Sequence, residues 1–331
     1  YTGMVPGHIA GHYALDEIAI DVAGLARRAG AELRLTSASL VSPEHNEVAC
    51  ADGSVVGYDV LSLDVGSQPA IGEAVGVERH AVVLRPLDNL VRGWDEALAR
   101  AERGEARSFT VVGGGGAGIE LALAMNRRLR AALAAPVAKV RLISDAAGGG
   151  LAPGAERRLR ARMKRAGIDL HVGSPVAEVG AGFVRLASGN VFVTDAVFWA
   201  TGAAAPGWIR DSGLATDKRG FLLTNDALQS VWHADVFGAG DCATQEGRDL
   251  AKAGVFAVRA APVLAANLRS ALHGGELRLH RPRANFLALV SAGERYAVGS
   301  WDGLAWQGRW AWLWKDRIDR RFVARYRGDG Q

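Results

Sequence analysis

The feature that most restricts this chain is a glycine run, Gly113-Gly114-Gly115-Gly116-Ala117-Gly118, set between two different hydrophobic periods. Before it, Ser108 to Val112 is a short β-rich run. After it, Ile119 to Leu133 has helical spacing and Val137 to Ser144 reads as a second buried strand. Strand, glycine turn, helix and strand within roughly 30 residues are the context in which a G-x-G-x-x-G pattern carries meaning. The first glycine permits the tight turn, the second lets backbone approach a pyrophosphate, and the third lets helix and strand pack closely. The helix start adds free N–H groups and a positive partial charge. These residues predict a parallel α/β sheet with a dinucleotide at Gly113, Gly115 and Gly118. An acid closing the second strand usually accepts the ribose hydroxyls of NAD. Here Ser144 ends the strand and Asp145 follows, so both are candidate contacts and the preference between NADH and NADPH stays open. Arg141, on the same strand, reads as a solvated strand-edge cation.

The flanking segments extend the pattern. Asp16 to Ala29 reads as one helix closed by Arg27, Arg28 and a C′ glycine at Gly30. Leu33 to Leu35, Glu47 to Cys50, a turn at Asp52-Gly53, Val55-Val56 and Tyr58 to Val65 read as a small β meander feeding a longer strand. Helices are predicted over 88–103 and 155–167, strands over 169–172 and 196–200, and a hairpin over 177–186. Farther on, Val236-Phe237-Gly238-Ala239-Gly240-Asp241 brings a strand to a glycine turn and a carboxylate. Two readings stand there: Asp241 accepts hydrogen bonds from polyol hydroxyls, or it caps a following helix.

Composition removes several classes. Glycine supplies 42 of 331 residues, well above the usual share of roughly 7%. Two cysteines, Cys50 and Cys242, exclude a disulfide framework and a four-thiolate metal site, and suit a reducing compartment. A net charge of +4 does not argue for nucleic acid. No apolar run reaches the roughly 18 residues of a spanning helix, so a soluble or surface-bound protein is expected. The chain opens on Tyr1 with no signal segment, as a processed or truncated product would.

Several motifs in sequence order carry a resemblance: Tyr58-Asp59-Val60-Leu61-Ser62-Leu63-Asp64-Val65-Gly66-Ser67, the glycine run through Glu120, Ala200-Thr201-Gly202, Val236 to Ala243, Lys252 to Arg259, and Trp314-Lys315-Asp316-Arg317-Ile318-Asp319. Together they resemble the two-dinucleotide-binding flavoproteins of the pyridine nucleotide-disulfide oxidoreductase superfamily. The likeness is to the type II NADH dehydrogenase-like branch, including the flavoprotein module sometimes fused to selenophosphate synthase. The resemblance implies an α/β fold of two Rossmann-like domains, an NAD(P) domain (86–200) inserted in a discontinuous FAD domain (1–85 and 201–275), and a C-terminal Trp-rich segment (276–331). It implies FAD and NAD(P)H as cofactors, and hydride transfer through flavin to a quinone or another small acceptor. Asp241 with Gly240 would meet the FAD ribitol, and Gly254, Val255, Phe256 and Ala257 the isoalloxazine. Glu120 would lie near the nicotinamide as the catalytic group, and Thr201-Gly202 at the crossover between domains.

Two departures from the family pattern bear on that reading. The family's N-terminal FAD fingerprint would precede a stretch like Tyr1 to Gly11 and does not occur here, so weak FAD binding is expected. A redox-active cysteine pair is also missing, so electrons should leave through the flavin without a disulfide relay. The alternative is a truncated or non-catalytic nucleotide-binding module that partners another enzyme such as selenophosphate synthase. At the C-terminus, Trp310, Trp314, Ile318, Phe322 and Tyr326 recur every four residues beside Arg317, Arg321 and Arg325, which predicts a basic amphipathic helix diluted by Asp316 and Asp319. That helix either docks on a membrane or packs in the core or a homodimer interface. The expected location is cytoplasmic, peripheral at the inner face of the membrane.

Overall fold

The computed structural model describes residues 1–133, 138–145 and 151–327. Its contacts divide the chain into two units, one of Tyr1–Gly30, Pro69–Gly202 and Leu287–Gln331, the other of Ala31–Gln68 and Ala203–Phe286.

The first unit is built on a five-stranded parallel sheet in the order Ala81–Val83, Ala196–Trp199, Ser108–Val112, Lys139–Ser144, Asp169–Val172. The Ser108–Val112 strand is central, and Phe109 to Val112 are all buried, as expected where helices cover both faces of a parallel sheet. Helix Leu87–Glu102 turns Leu90, Trp94, Ala97, Leu98 and Ala101 inward at helical spacing. Helix Gly116–Ala132 follows the glycine turn, and helix Pro153–Ala166 starts on proline and ends on left-handed Gly167. One core joins Phe109, Ile119, Met125, Leu142 and Phe198 to Met4, Ile9 and Ile18 from the start of the chain and to Val298 and Trp312 from its end. The unit boundaries therefore differ from the divisions 1–85, 86–200, 201–275 and 276–331. The apolar side chains of 1–18 and 288–323 share the core of the glycine-turn sheet.

The second unit carries parallel pairs, Leu61–Leu63 with Val236–Gly238 and Leu222–Thr224 with Ala243–Gln245. It also has an antiparallel sheet of Ala38–Ser42, Glu47–Cys50 and Val55–Gly57, and the long helix Gly254–His273. Asn267 is wholly buried on that helix. It donates to the carbonyls of Ala227 (2.7 Å) and Arg278 (2.9 Å) and accepts from Arg278 N–H (2.7 Å), which leaves its amide satisfied. By length and average composition alone this helix is long and apolar enough to cross a membrane, although no uninterrupted apolar run in it reaches the length of a span. Arg259 and Arg269 interrupt its apolar run without removing its apolar average.

Several elements depart from the sequence reading. The helix expected over Asp16 to Ala29 is two, Leu15–Ile18 and Val22–Ala29, because Asp21 caps the second by accepting Gly24 N–H at 2.9 Å. Leu33 to Leu35 is not a strand, and the strand expected over Tyr58 to Val65 is reduced to Leu61–Leu63. The hairpin after Val176 gains a third strand, Val191–Val193. Arg141 is not a solvated cation: its side chain is 13% exposed, and its guanidinium bonds Asp169 at 2.9 Å and lies 4.4 Å over the Phe192 ring. Val137 lies outside the described residues.

Candidate active site

The glycine turn sits at the C-terminal end of the central strand, where open α/β sheets bind ligands. Gly113 has φ +127°, and a Cβ there would fall 2.3 Å from the Ala200 carbonyl oxygen. A Cβ on Gly118 would meet the Gly113 carbonyl oxygen at 2.0 Å, so helix and strand touch through backbone alone. Gly115 differs, because its Cβ direction meets no atom within 4 Å. Two glycines are thus required by the protein's own packing, while the third faces open space at the start of a 17-residue helix whose first N–H groups lack intrahelical partners.

The remaining first-unit candidates close around this turn. Gly113 N–H donates to Ile143 at 2.8 Å, which sets the turn beside buried Ser144 at the end of the next strand. Asp145 follows, exposed, and Ser144 Oγ lies 3.4 Å from its carboxylate. On the other flank Thr201 Oγ1 donates to the Ala70 carbonyl at 2.5 Å, and the Gly202 carbonyl accepts Ala70 N–H at 2.8 Å. Gly202 is the last residue of the unit at that crossing.

Glu120, the fifth residue of the glycine-turn helix, accepts the backbone N–H of Ser291 at 2.6 Å. Burial raises its carboxyl to about 7, against opposing pulls from Lys315 and the Ser291 bond, with Asp319 adding to the rise. Lys315 and Asp319 form an ion pair of 2.6 Å with side chains 12% and 7% exposed, and burial also raises the Asp319 carboxyl. The sequence motif marks Lys315 without a role. Its place beside Glu120 was not legible, because nothing local links residues so distant in sequence.

In the second unit, the ends of the parallel pair Leu61–Leu63 and Val236–Gly238 bring Asp64 and Ser67 to Gly240 and Asp241. Ser67 Oγ lies 3.5 Å from Asp241 Oδ2, and burial together with Asp241 raises the Asp64 carboxyl. Gly240 has φ +72°, and a Cβ there would stand 2.2 Å from Asp64 Oδ1. The turn is acceptor-rich, as hydroxyl recognition requires. Asp241 lies within the short 3-10 turn Gly240–Cys242, which runs into the strand Ala243–Gln245. It therefore caps no following α-helix, and that reading is withdrawn. Gly254, Val255, Phe256 and Ala257 form the first turn of the long helix, and Phe256 lines a cleft with Gly240, Asp241, Thr244 and Lys252. Lys252 bonds the Ala243 carbonyl (2.5 Å) and Thr244 Oγ1 (3.0 Å) and lies 3.9 Å from the Phe221 ring centre; burial lowers its ammonium to about 8. Both cysteines are free thiols, and burial pushes Cys242 up to about 11.

Helix Arg309–Arg327 turns Ala311, Trp312 and Val323 inward and leaves Trp310 (53%), Trp314 (39%) and Ile318 (42%) exposed. Trp306 of the preceding hairpin stacks on both exposed indoles, at 6.3 and 6.2 Å between ring centres. Arg317, Arg321 and Arg325 are exposed. The expected dilution by acids is corrected: Asp319 is buried against Lys315, and Asp316 accepts Tyr13 OH at 2.6 Å and pairs with Arg320.

Comparison with known proteins agrees with this geometry. The family model described as pyridine nucleotide-disulphide oxidoreductase matches residues 7–259. A probable NADH dehydrogenase of Dictyostelium discoideum is 26% identical over 255 residues, covering 69% of this chain and 56% of that protein. The external alternative NAD(P)H-ubiquinone oxidoreductase B4 of Arabidopsis thaliana is 26% identical over 280 residues, 74% of this chain and 48% of its own. The chain thus spans about half the length of these relatives. The sulfide:quinone oxidoreductase of Aquifex aeolicus has the same fold, with a TM-score of 0.80 at 16% identity over 99% of this chain and 83% of its own. The chain belongs to the pyridine nucleotide-disulphide oxidoreductase family.

Proposed function

We propose that this chain is the catalytic part of an FAD-dependent oxidoreductase that takes a hydride from NAD(P)H and passes electrons to a quinone or a similar small acceptor. The observation that carries the reading is the pair of strand-end turns: one with an open Gly115 at a helix start, the other with Asp241, Asp64 and Ser67 around Gly240. FAD, where bound, supplies the electron-accepting ring. The residues fit such a group. Asp241 and Ser67 offer acceptors and a hydroxyl to a polyol, and the Gly254–Ala257 helix start offers N–H groups and positive potential to an electron-rich ring edge. The Gly113–Gly118 turn would hold the NAD(P)H pyrophosphate, with Ser144 and Asp145 at its ribose and Thr201-Gly202 at the crossover. Glu120, poised near neutrality beside Lys315, is suited to take or return a proton at Oε as charge changes on the nicotinamide or the acceptor. The exposed indoles and arginines of the last helix support contact with an anionic membrane, where quinones dissolve.

Two variants separate the assignments. Gly115→Val should leave FAD affinity unchanged and weaken NAD(P)H binding by roughly a hundredfold or more, the loss of about 3 kcal/mol of phosphate contacts. Asp241→Asn should weaken FAD binding roughly tenfold and leave NAD(P)H binding intact. Calorimetric titration of both ligands reads the outcome. If both substitutions weaken the same ligand, or neither weakens any, the reading fails.

A further inference from the structure

Away from the residues above, the first unit holds an open pocket of about 290 Å³ between the Val5–Ile9 helix, the turn that follows it, and the helices Leu87–Glu102 and Gly116–Ala132. Its floor is apolar, made by Trp94 and Leu98, 2% and 8% exposed. Its walls are His8, His12 and Arg128, with exposed Asp95 as the one carboxylate lining it. Left-handed Gly11 (φ +75°) turns the chain over Arg128, whose Nη1 would lie 2.8 Å from a Cβ at that position. The two imidazoles are fixed in opposite senses. His8 Nδ1 lies 3.0 Å from the Tyr13 carbonyl and His12 Nε2 lies 2.9 Å from the Gly293 carbonyl. A carbonyl only accepts, so those nitrogens carry the protons, and His8 Nε2 and His12 Nδ1 are lone pairs until the rings are protonated.

We propose that this pocket binds a small oxyanion of sulfate or phosphate size, held by Arg128 and by His12 in its protonated form, with His8 lining the same space. The site is independent of the flavin and nicotinamide assignments. Without an anion, His12 resists protonation: burial lowers its pKa, and Arg127 and Arg295 oppose a further positive charge, against favourable pulls from the Gly293 bond and Glu294. Arg128, His8 and Asp95 line the same space, and the Trp312 ring stands edge-on to His12 at 5.6 Å. An oxyanion reverses that balance, because it supplies negative charge and accepts the new N–H bonds. Binding therefore takes up protons and tightens as pH falls.

Sulfate is the probe, since its charge does not change between pH 6 and 8. Titration of the full chain by calorimetry, at ionic strength held constant with sodium chloride, should give saturable binding at pH 6 that is weaker at pH 8 by roughly tenfold or more. Arg128→Gln should lose it. His8→Asn with His12→Gln keeps an amide N–H for each anchoring carbonyl while removing the second ring nitrogen, so it should fold, lose the pH dependence and bind at least about tenfold more weakly at pH 6. Gly115→Val should bind sulfate as the parent chain does, which separates this pocket from the glycine turn. Undiminished binding in the double histidine variant, loss in Gly115→Val instead, or no saturation in the parent chain by about 20 mM would overturn the proposal.

Discussion

Gly113 and Gly115 stand two residues apart and answer to different constraints. The first holds a backbone conformation that other residues rarely adopt and abuts a carbonyl oxygen; the second faces nothing. Gly113→Ala is expected to cost about 2 to 4 kcal/mol of stability through strain and overlap, and Gly115→Ala less than about 1 kcal/mol at an N-cap position. Chemical denaturation of both variants checks this, and equal losses would contradict it. Glu120 makes a second prediction. Its folded pKa of about 7 lies above the ordinary carboxyl value of 4.5, so the desolvated carboxylate is unfavourable once charged. Its penalty is absent below about pH 4.5, grows as pH rises toward 7 and is constant above, on the order of 3 kcal/mol. Glu120→Gln should therefore gain stability relative to the parent chain at pH 8 and show little gain at pH 4.5. A pH-independent difference would place the effect in packing instead.

At the scale of elements, legibility followed the range of the interactions. The glycine turn, its strands and its helix were readable because strand period, turn residues and helix period lie within one short stretch. The break at Asp21 was not, since a cap competed with a continuous apolar face and won. Asp241 was marked correctly as a turn carboxylate, yet its neighbours Asp64 and Ser67 come from a distant strand end. The polar pocket of His8, His12 and Arg128 had no linear signature at all. The last helix was readable in its period. Only packing revealed that its acids turn inward, leaving Trp310, Trp314 and Ile318 with the arginines outside. Co-sedimentation with phosphatidylserine vesicles should accordingly need anionic lipid and weaken with salt. It should fail in a Trp310→Ser, Trp314→Ser variant. Because those indoles also stack on Trp306, an Arg317→Glu, Arg321→Glu, Arg325→Glu variant, altered only at exposed positions, supplies the second test. Undiminished sedimentation of that triple variant would exclude the helix as the anionic-lipid contact.

At the scale of the whole molecule, the chain passes between its two units after Gly30, Gln68, Gly202 and Phe286. Neither unit is a continuous stretch of sequence. One consequence is topological: no single cut can release either unit, and no simple truncation can express one whole. A protease that nicks the connection near Gly30 or Phe286 should yield fragments that separate in denaturant yet migrate together under native conditions, since the first unit spans either cut through its own core. Gel filtration of nicked material tests that, and free fragments would contradict it. The same interleaving postpones completion of the first unit during synthesis, because Met4 and Ile9 share a core with Val298 and Trp312. Segments nearly 300 residues apart must both be in place before that core closes, which makes this fold one of high contact order and slow to form.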